Sequence, residues 1–322
     1  MQASSTRSET LEQVGVRDHQ IKRITVEEEY KKNPDLKKED IQTLRTWITT
    51  QPHLPQNVPD ETLILFLHSC YYSMDEAKSC MELYFTIRSN TPEFFSNRNI
   101  CRPELEAQST VVEYACIGPK TPQGYQIIFH RLHQNDPSKY VFQDSVKLLS
   151  MSVDACLHVE GTVPGYIFLF DMAGVRLGHL LRLNLGLLSK FFQYIQEANP
   201  VRLKGIHVLN TKSLIDKILY IIKPFMKKEL LSLIHFHQEG DISSVYQYIP
   251  ESCIPGGDLP GELKDSQTLN AEFVEWMKNL TEVFQQDTSY RVDETKRVKS
   301  GKKNAARQLE KTQVSLQRLE LD

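Results

Sequence analysis

Between residues 125 and 237, short apolar runs of β type alternate with longer segments of helical period, and few folds accept that alternation. The runs are "YQIIFHRL" (125–132), "GYIFLFDMAG" (165–174), "LKGIHVLN" (203–210) and "LSLIHFH" (231–237). Helical patterns separate them: 140–159, 180–200 and 213–230. Strands that alternate with helices of ten to twenty residues predict βαβ units and a mostly parallel sheet covered by helices. "YIFLF" is apolar at every position, as a strand covered on both faces must be.

The preceding residues read differently. "EDIQTLRTWITTQ" sets Ile41, Leu44, Trp47 and Ile48 on one helical stripe, and "QPHLP" ends it with Pro52 and Pro55. Asp60 has N-cap chemistry, Ser73 and Glu76 have capping-box spacing, and Pro92 opens a short helix at "TPEFF". The expected organisation is a polar segment 1–36, a small all-helical unit 37–97, a connector 98–124, an α/β domain 125–265, a C-terminal helix 266–289 and a basic, disordered tail 290–322. That tail holds "KRVKSGKKNAAR" and the leucines Leu309, Leu316 and Leu319.

A net charge of −3 excludes a general polyanion binder, so no nucleic acid is expected and any anion site is a local patch. No apolar run is long enough to span a bilayer, and the polar N-terminus lacks the apolar core of a secretory signal. Six cysteines without paired spacing are expected as free thiols, with Cys80 and Cys156 buried.

Catalytic motifs are missing: no phosphate loop, dinucleotide fingerprint or nucleophile elbow occurs. Asp171 ends an apolar strand and is expected to cap the "DMAG" turn; a catalytic pairing with His179 is the competing reading. The HxxH pair His130 and His133 and the HxH pair His235 and His237 lack further ligands by spacing, so packed histidines are expected and no metal.

What stays unexplained is apolar surplus. Residues 213–226 carry Leu214, Ile215, Ile218, Leu219, Ile221, Ile222, Phe225 and Met226, a greasier face than a covering helix needs. The same stretch has Lys217, Lys223 and Pro224, with Lys227 and Lys228 just beyond. A segment oily inside, cationic outside and weakened in the middle suits a lid over an apolar hollow.

"LRTWITTQPHLP", "FLHSCYYSMDEAKSCMELYFTIRSNTPEFF", "FDMAG", "PVRLKGIHVLN", "IIKPFMKKELLSLIHFH" and "YIPESCIP" occur in this order. In that ordered set the chain resembles the CRAL-TRIO lipid-binding proteins, in the branch of the alpha-tocopherol transfer protein and the cellular retinaldehyde-binding protein. The resemblance covers about 38–280. It implies a helical N-terminal unit, a sheet flooring a hydrophobic pocket, and a mobile gate helix from Ser213 to about Glu229. It implies carriage of one small hydrophobic lipid, of tocopherol, retinoid or related isoprenoid type, between membranes, without catalysis and with no cofactor beyond the lipid. The chain would then act as a cytoplasmic monomer, transiently peripheral to membranes. The alternative is a non-transferring adaptor that recruits partners through its basic tail.

Expected pocket walls are Val146, Leu149 and Val153 on one helix, Ile167 and Leu169 on one strand, Ile206 and Val208 on the next, and Ile218, Leu219, Ile222 and Phe225 on the gate. Because a strand shows each face at alternate residues, Phe168, Phe170, His207 and Leu209 are the other choice. Phosphoinositide or membrane contact falls to Arg202, Lys204, Lys223, Lys227 and Lys228. The resemblance departs at Cys70, Glu229 and Leu233, which stand where relatives are basic, and in "IPGGDLPG". The serines that hold the tocopherol head group fall here near Leu149 and Val153.

Overall fold

The computed structural model describes residues 21–211 and 214–297. Residues 1–20, the gate's expected first residue Ser213 with Lys212, and 298–322 with the tail leucines lie outside the described residues.

The helical unit opens with α1 (Val26–Lys32), whose Thr25 and Glu28 form a true capping box. Then come α2 (Lys38–Thr49), α3 (Asp60–Ser69), α4 (Met74–Asn90) and α5 (Pro92–Phe95). Leu44, Leu63, Phe66 and Met81 fill their shared core. Two expected caps are corrected. Pro59 holds the N-cap of α3, and Asp60 sits in its first turn against Arg45; Ser73 does occupy the N-cap of α4 but makes no side-chain cap bond.

The expected connector is also corrected. It contains α6 (Pro103–Ser109) and a strand, β1 (Val112–Cys116), buried along its whole length. β1 runs antiparallel to β2 (Tyr125–Leu132) and closes one edge of the sheet. Five residues that include Glu113 give too short a pattern to announce a strand; pairing with β2 makes it one.

The chain continues through α7 (Phe142–Glu160), β3 (Gly165–Asp171), α8 (Leu177–Leu180), α9 (Leu185–Gln193), β4 (Leu203–Thr211), α10 (Ile215–Ile222), α11 (Lys228–Leu231) and β5 (Ile234–Gln238). The sheet order is β1-β2-β3-β4-β5, parallel from β2 onward. The fold is thus a largely parallel sheet covered by helices behind an all-helical unit. α7 is buried from Asp144 to Leu157, because it lies between the sheet and the helical unit. Gly161 ends it at φ +64°, where a Cβ would stand 1.7 Å from the Glu29 carboxylate, so no other residue fits.

The opposite sheet face is closed by the segment after β5, which includes β6 (Pro255–Gly256) and β7 (Leu263–Asp265). Val245, Ile249 and Ile254 pack there against Ile127, Phe129, Ile167 and Leu169. The expected C-terminal helix is broken at Leu280 into α12 (Ser266–Asn279) and α13 (Thr281–Asp287).

A buried charge network joins these parts. Asp154 of α7 accepts from Arg88 of α4 at 2.8 Å and from Arg98, and Arg98 reaches Asp287 of α13 at 2.9 Å. The expectation that the tail is disordered from residue 290 is corrected up to 297. Tyr290 and Val292 pack on the helical unit, Arg291 donates to the Arg88 and Phe95 carbonyls, and the Arg297 guanidinium binds Glu294, Thr86 and Glu82.

Candidate functional site: an apolar cavity under α10

The sheet register sorts its side chains into two populations. Phe168 pairs with Ile206 and Ile206 with Ile234; one row on, His130, Phe170, Val208 and Phe236 lie side by side across four strands. All of these residues line a cavity of about 290 Å³. Val146 and Leu149 of α7 form one wall, Leu188, Phe191 and Phe192 of α9 another, and Ile215, Ile218 and Ile222 of α10 the cover. The volume lies near the lower end of ordinary small-molecule sites, roughly 300–1,000 Å³.

Six of the expected walls therefore line the hollow: Val146, Leu149, Ile206, Val208, Ile218 and Ile222. Five do not. Ile167 and Leu169 point to the opposite sheet face, into the solid layer with Leu209 and Val245. The pairing of Ile167 with Gly205 sets that parity, so Phe168 and Phe170 are the cavity pair of β3. His207 and Leu209 likewise leave the hollow. Val153 lies one turn beyond Leu149, in close-packed core. Leu219 is half-buried on α10 without lining the cavity, and Phe225 packs on the main core from the turn after α10.

α10 is amphipathic and lightly held. None of its residues is fully buried; Ile218 and Ile222 face inward, while Lys217 and Tyr220 are exposed. Pro224 does more than weaken this helix. A 3₁₀ turn, Lys223–Phe225, replaces the α-helical ladder, and α11 begins separately at Lys228. Gln196 anchors the turn: its amide donates to the Phe225 carbonyl at 3.0 Å and accepts from the Lys227 backbone N–H at 2.6 Å. Gln196 sits in a π-helical stretch, Tyr194–Ala198, that extends α9.

The basic residues divide. Arg202 stacks on the Tyr71 ring at 4.0 Å, its Nε donates to the His68 carbonyl, and Lys204 donates to the Tyr71 hydroxyl at 3.0 Å. Tyr71 and Tyr72 hold this patch from left-handed conformations, φ 50° and 62°. Lys227 pairs with Glu197 at 2.6 Å. Lys223 and Lys228 are exposed.

Asp171 caps the "DMAG" turn through Oδ1, which accepts from Ala173 N and Asn210 Nδ2. The histidine pairs are dispersed. His130 lines the cavity, and burial pushes its pKa down to about 4. His133 meets Glu113 at 2.8 Å. His235 and His237 stack with His207 on the opposite face, with His207 Nδ1 and His237 Nε2 3.0 Å apart. Among the described residues no group of three His, Cys, Asp or Glu side chains is arranged to hold a metal ion.

A second surface escaped the sequence reading. Leu181 is 80% exposed, and Leu177 and Leu185 are exposed beside it in sequence. Their spacing of four in "LGHLLRLNL" was the available signal, although Leu181 caps α8 and Leu185 opens α9, so the three flank a turn and do not share one helix face.

The family described as CRAL/TRIO domain matches residues 113–257, and the one described as Pinta-like, UBA domain matches 33–105. The alpha-tocopherol transfer protein-like protein of Homo sapiens is 27% identical over 249 residues, 76% of this chain and 71% of that one. Clavesin-1 of Xenopus laevis is 26% identical over 237 residues, 72% of this chain and 71% of that one. The crystal structure of Sfh5 superposes with a TM-score of 0.47 at 11% identity, over 77% of this chain and 99% of that chain.

Proposed function

We propose, on the match of residues 113–257 to the CRAL/TRIO domain family, that this chain binds one small hydrophobic lipid and carries it between membranes, with α10 as the gate. The observation that carries this reading is the hydrocarbon-lined cavity beneath a helix with no fully buried residue. An isoprenoid-sized lipid burying about 500 Å² of apolar surface gains about 12 kcal/mol over water. Escape into water is correspondingly slow, whereas escape into a bilayer keeps the ligand in hydrocarbon. Delivery therefore requires contact with a membrane.

The outer surface supports that contact. Leu177, Leu181 and Tyr220 present apolar groups to solvent, with Arg176, Arg182, Lys217 and Lys223 close in sequence. Leucine beside basic residues suits a headgroup layer, each cation adding about 1 kcal/mol at an anionic surface. Arg202 and Lys204 are offered to a phosphoinositide head group only if Tyr71 swings aside, because its ring and hydroxyl now engage both. The lipid is the only non-protein group the reading requires, and the carrier works as a cytoplasmic monomer visiting membrane surfaces.

The test is transfer of a fluorescent tocopherol analogue or retinol from donor to acceptor vesicles. Native protein should accelerate transfer in proportion to its concentration. Val208→Trp, which intrudes into the middle of the hollow, should accelerate it far less. Equal acceleration by both would remove the cavity from the mechanism.

A further inference from the structure

The hydrocarbon lining is interrupted by six polar side chains. His130, Tyr140, Ser145, Asp171, His179 and Asn199 all line the cavity, and three of them, Tyr140, Asp171 and His179, lie at or beyond the carboxyl ends of β2 and β3. Ligands of parallel sheets gather at that end. Among the described lining residues there is no lysine or arginine.

Three of these side chains, Asp171, His179 and Asn199, bury a polar atom without a hydrogen-bond partner, and His179 is the one of the three whose orphan is a donor. It is 4% exposed, on the short helix α8, edge-on to the Tyr140 ring with centroids 5.7 Å apart. The Arg176 backbone N–H donates to its Nδ1 at 3.0 Å, and the Arg176 carbonyl is the longer contact at 3.3 Å. An Nδ1 that accepts leaves the ring proton on Nε2. That Nε2 is buried without a hydrogen-bond partner. Asp171 Oδ2 is buried in the same condition, its nearest cation being Arg131 Nε at 3.6 Å. Arg131 is itself committed to Asp258, with contacts of 2.7 and 2.8 Å.

Buried polar atoms normally have partners, so an orphan in a ligand cavity marks where a ligand atom belongs. The missing partner of an N–H donor is an acceptor oxygen. A carboxylate or phosphate would share the cavity with Asp171 and find no cation in its lining, since Arg176 and Arg182, which act on His179, stand outside that lining. Neither histidine supplies one: burial lowers the pKa of both, His130 to about 4.

We propose that the cavity selects lipids bearing an uncharged oxygen, a hydroxyl or carbonyl, which accepts a hydrogen bond from His179 Nε2. The site thereby discriminates against fatty acids and phosphate-bearing lipids, and gains nothing from His179 with plain hydrocarbons. This inference rests on the lipid-binding reading above.

The experiment is displacement of the neutral apolar fluorophore N-phenyl-1-naphthylamine at pH 7.5 by hexadecan-1-ol, hexadecanal, hexadecanoic acid and hexadecane, on native protein and on His179→Leu. Comparing the proteins for each competitor cancels the competitors' own solubilities. Loss of the donor should weaken the alcohol and aldehyde roughly tenfold and leave hexadecane unchanged. The acid should compete poorly with the native protein. His179→Gln, which keeps an N–H donor, should restore part of the alcohol's advantage. An acid as effective as the alcohol, or an alcohol insensitive to His179→Leu, overturns the proposal while the carrier reading stands. Failure of the fluorophore to enter native protein overturns the carrier reading and this inference with it. If His179→Leu does not fold, the four competitors on native protein and His179→Gln decide the matter.

Discussion

Phe168 stands beside Ile206 in the parallel pairing of β3 with β4, and both side chains line the cavity. Their neighbours Ile167 and Leu169 enter a solid layer instead. Substitutions one residue apart should therefore fail in opposite ways. Leu169→Ala removes packed side chain and should cost about 2–5 kcal/mol in chemical denaturation. Ile206→Trp projects into space already empty, so it should cost under about 3 kcal/mol and abolish ligand uptake.

Gln196 fastens the turn that follows α10 with two hydrogen bonds, to Phe225 and Lys227. Each contributes about 1 kcal/mol. Gln196→Ala should raise the rate of lipid transfer to acceptor vesicles roughly five- to thirtyfold, with little change in ligand affinity at equilibrium. Unchanged transfer would separate this latch from gating.

Leu181 is 80% exposed and supports nothing in the core. Leu181→Asp should leave the thermal midpoint within about 1 °C, since surface changes stay inside about 0.5 kcal/mol. Co-sedimentation with anionic vesicles should fall severalfold, because burying a charge in the interface is costly. Full retention of vesicle binding would place membrane contact elsewhere.

Asp154 ties α7 to Arg88 and Arg98. Burial alone would raise its pKa, but the two guanidinium groups outweigh burial and hold it below the ordinary 3.8. A carboxyl depressed in the folded state stabilises above its ordinary value, and that stability is lost as pH falls through the folded value. Asp154→Asn should cost about 3–5 kcal/mol at pH 7, by stranding buried guanidinium groups, and should flatten the acid limb of the stability curve. Thermal melts from pH 7 to pH 3 measure both.

His207 behaves with the same sign at a different pH. Desolvation, then the nearby His235 and His237, push it from 6.5 down to about 3. The unfolded chain takes up its proton first, so stability falls as pH drops from 6.5 toward 3. One such group contributes a slope of up to about 1.4 kcal/mol per pH unit. His207→Gln should reduce that slope by up to one proton in urea titrations between pH 6.5 and 5.

The parallel sheet was legible because "YIFLF" is apolar on both faces and helical stretches separate the four β-type runs. β1 was not, because Val112–Cys116 becomes a strand only beside β2. The helix over the cavity was legible from surplus: eight apolar residues in 213–226 exceed what a covering helix uses, and Ile215, Ile218 and Ile222 among them line the hollow. Which strand residues face the hollow was not, since two interleaved sets are equally apolar and the register with Gly205 chooses between them. The docking of Arg291 and Arg297 was hidden for a related reason: their partners, Arg88 and Glu82, are some 200 residues distant.

The central claim is that the space beneath α10 houses a lipid. Native mass spectrometry of the purified chain, incubated with mixed-lipid vesicles and re-isolated, tests it most directly. The account predicts a mass increment of one small hydrophobic molecule per chain, released on denaturation and absent from Ile206→Trp. A bare chain mass for the native protein, or an equal increment on Ile206→Trp, would contradict it.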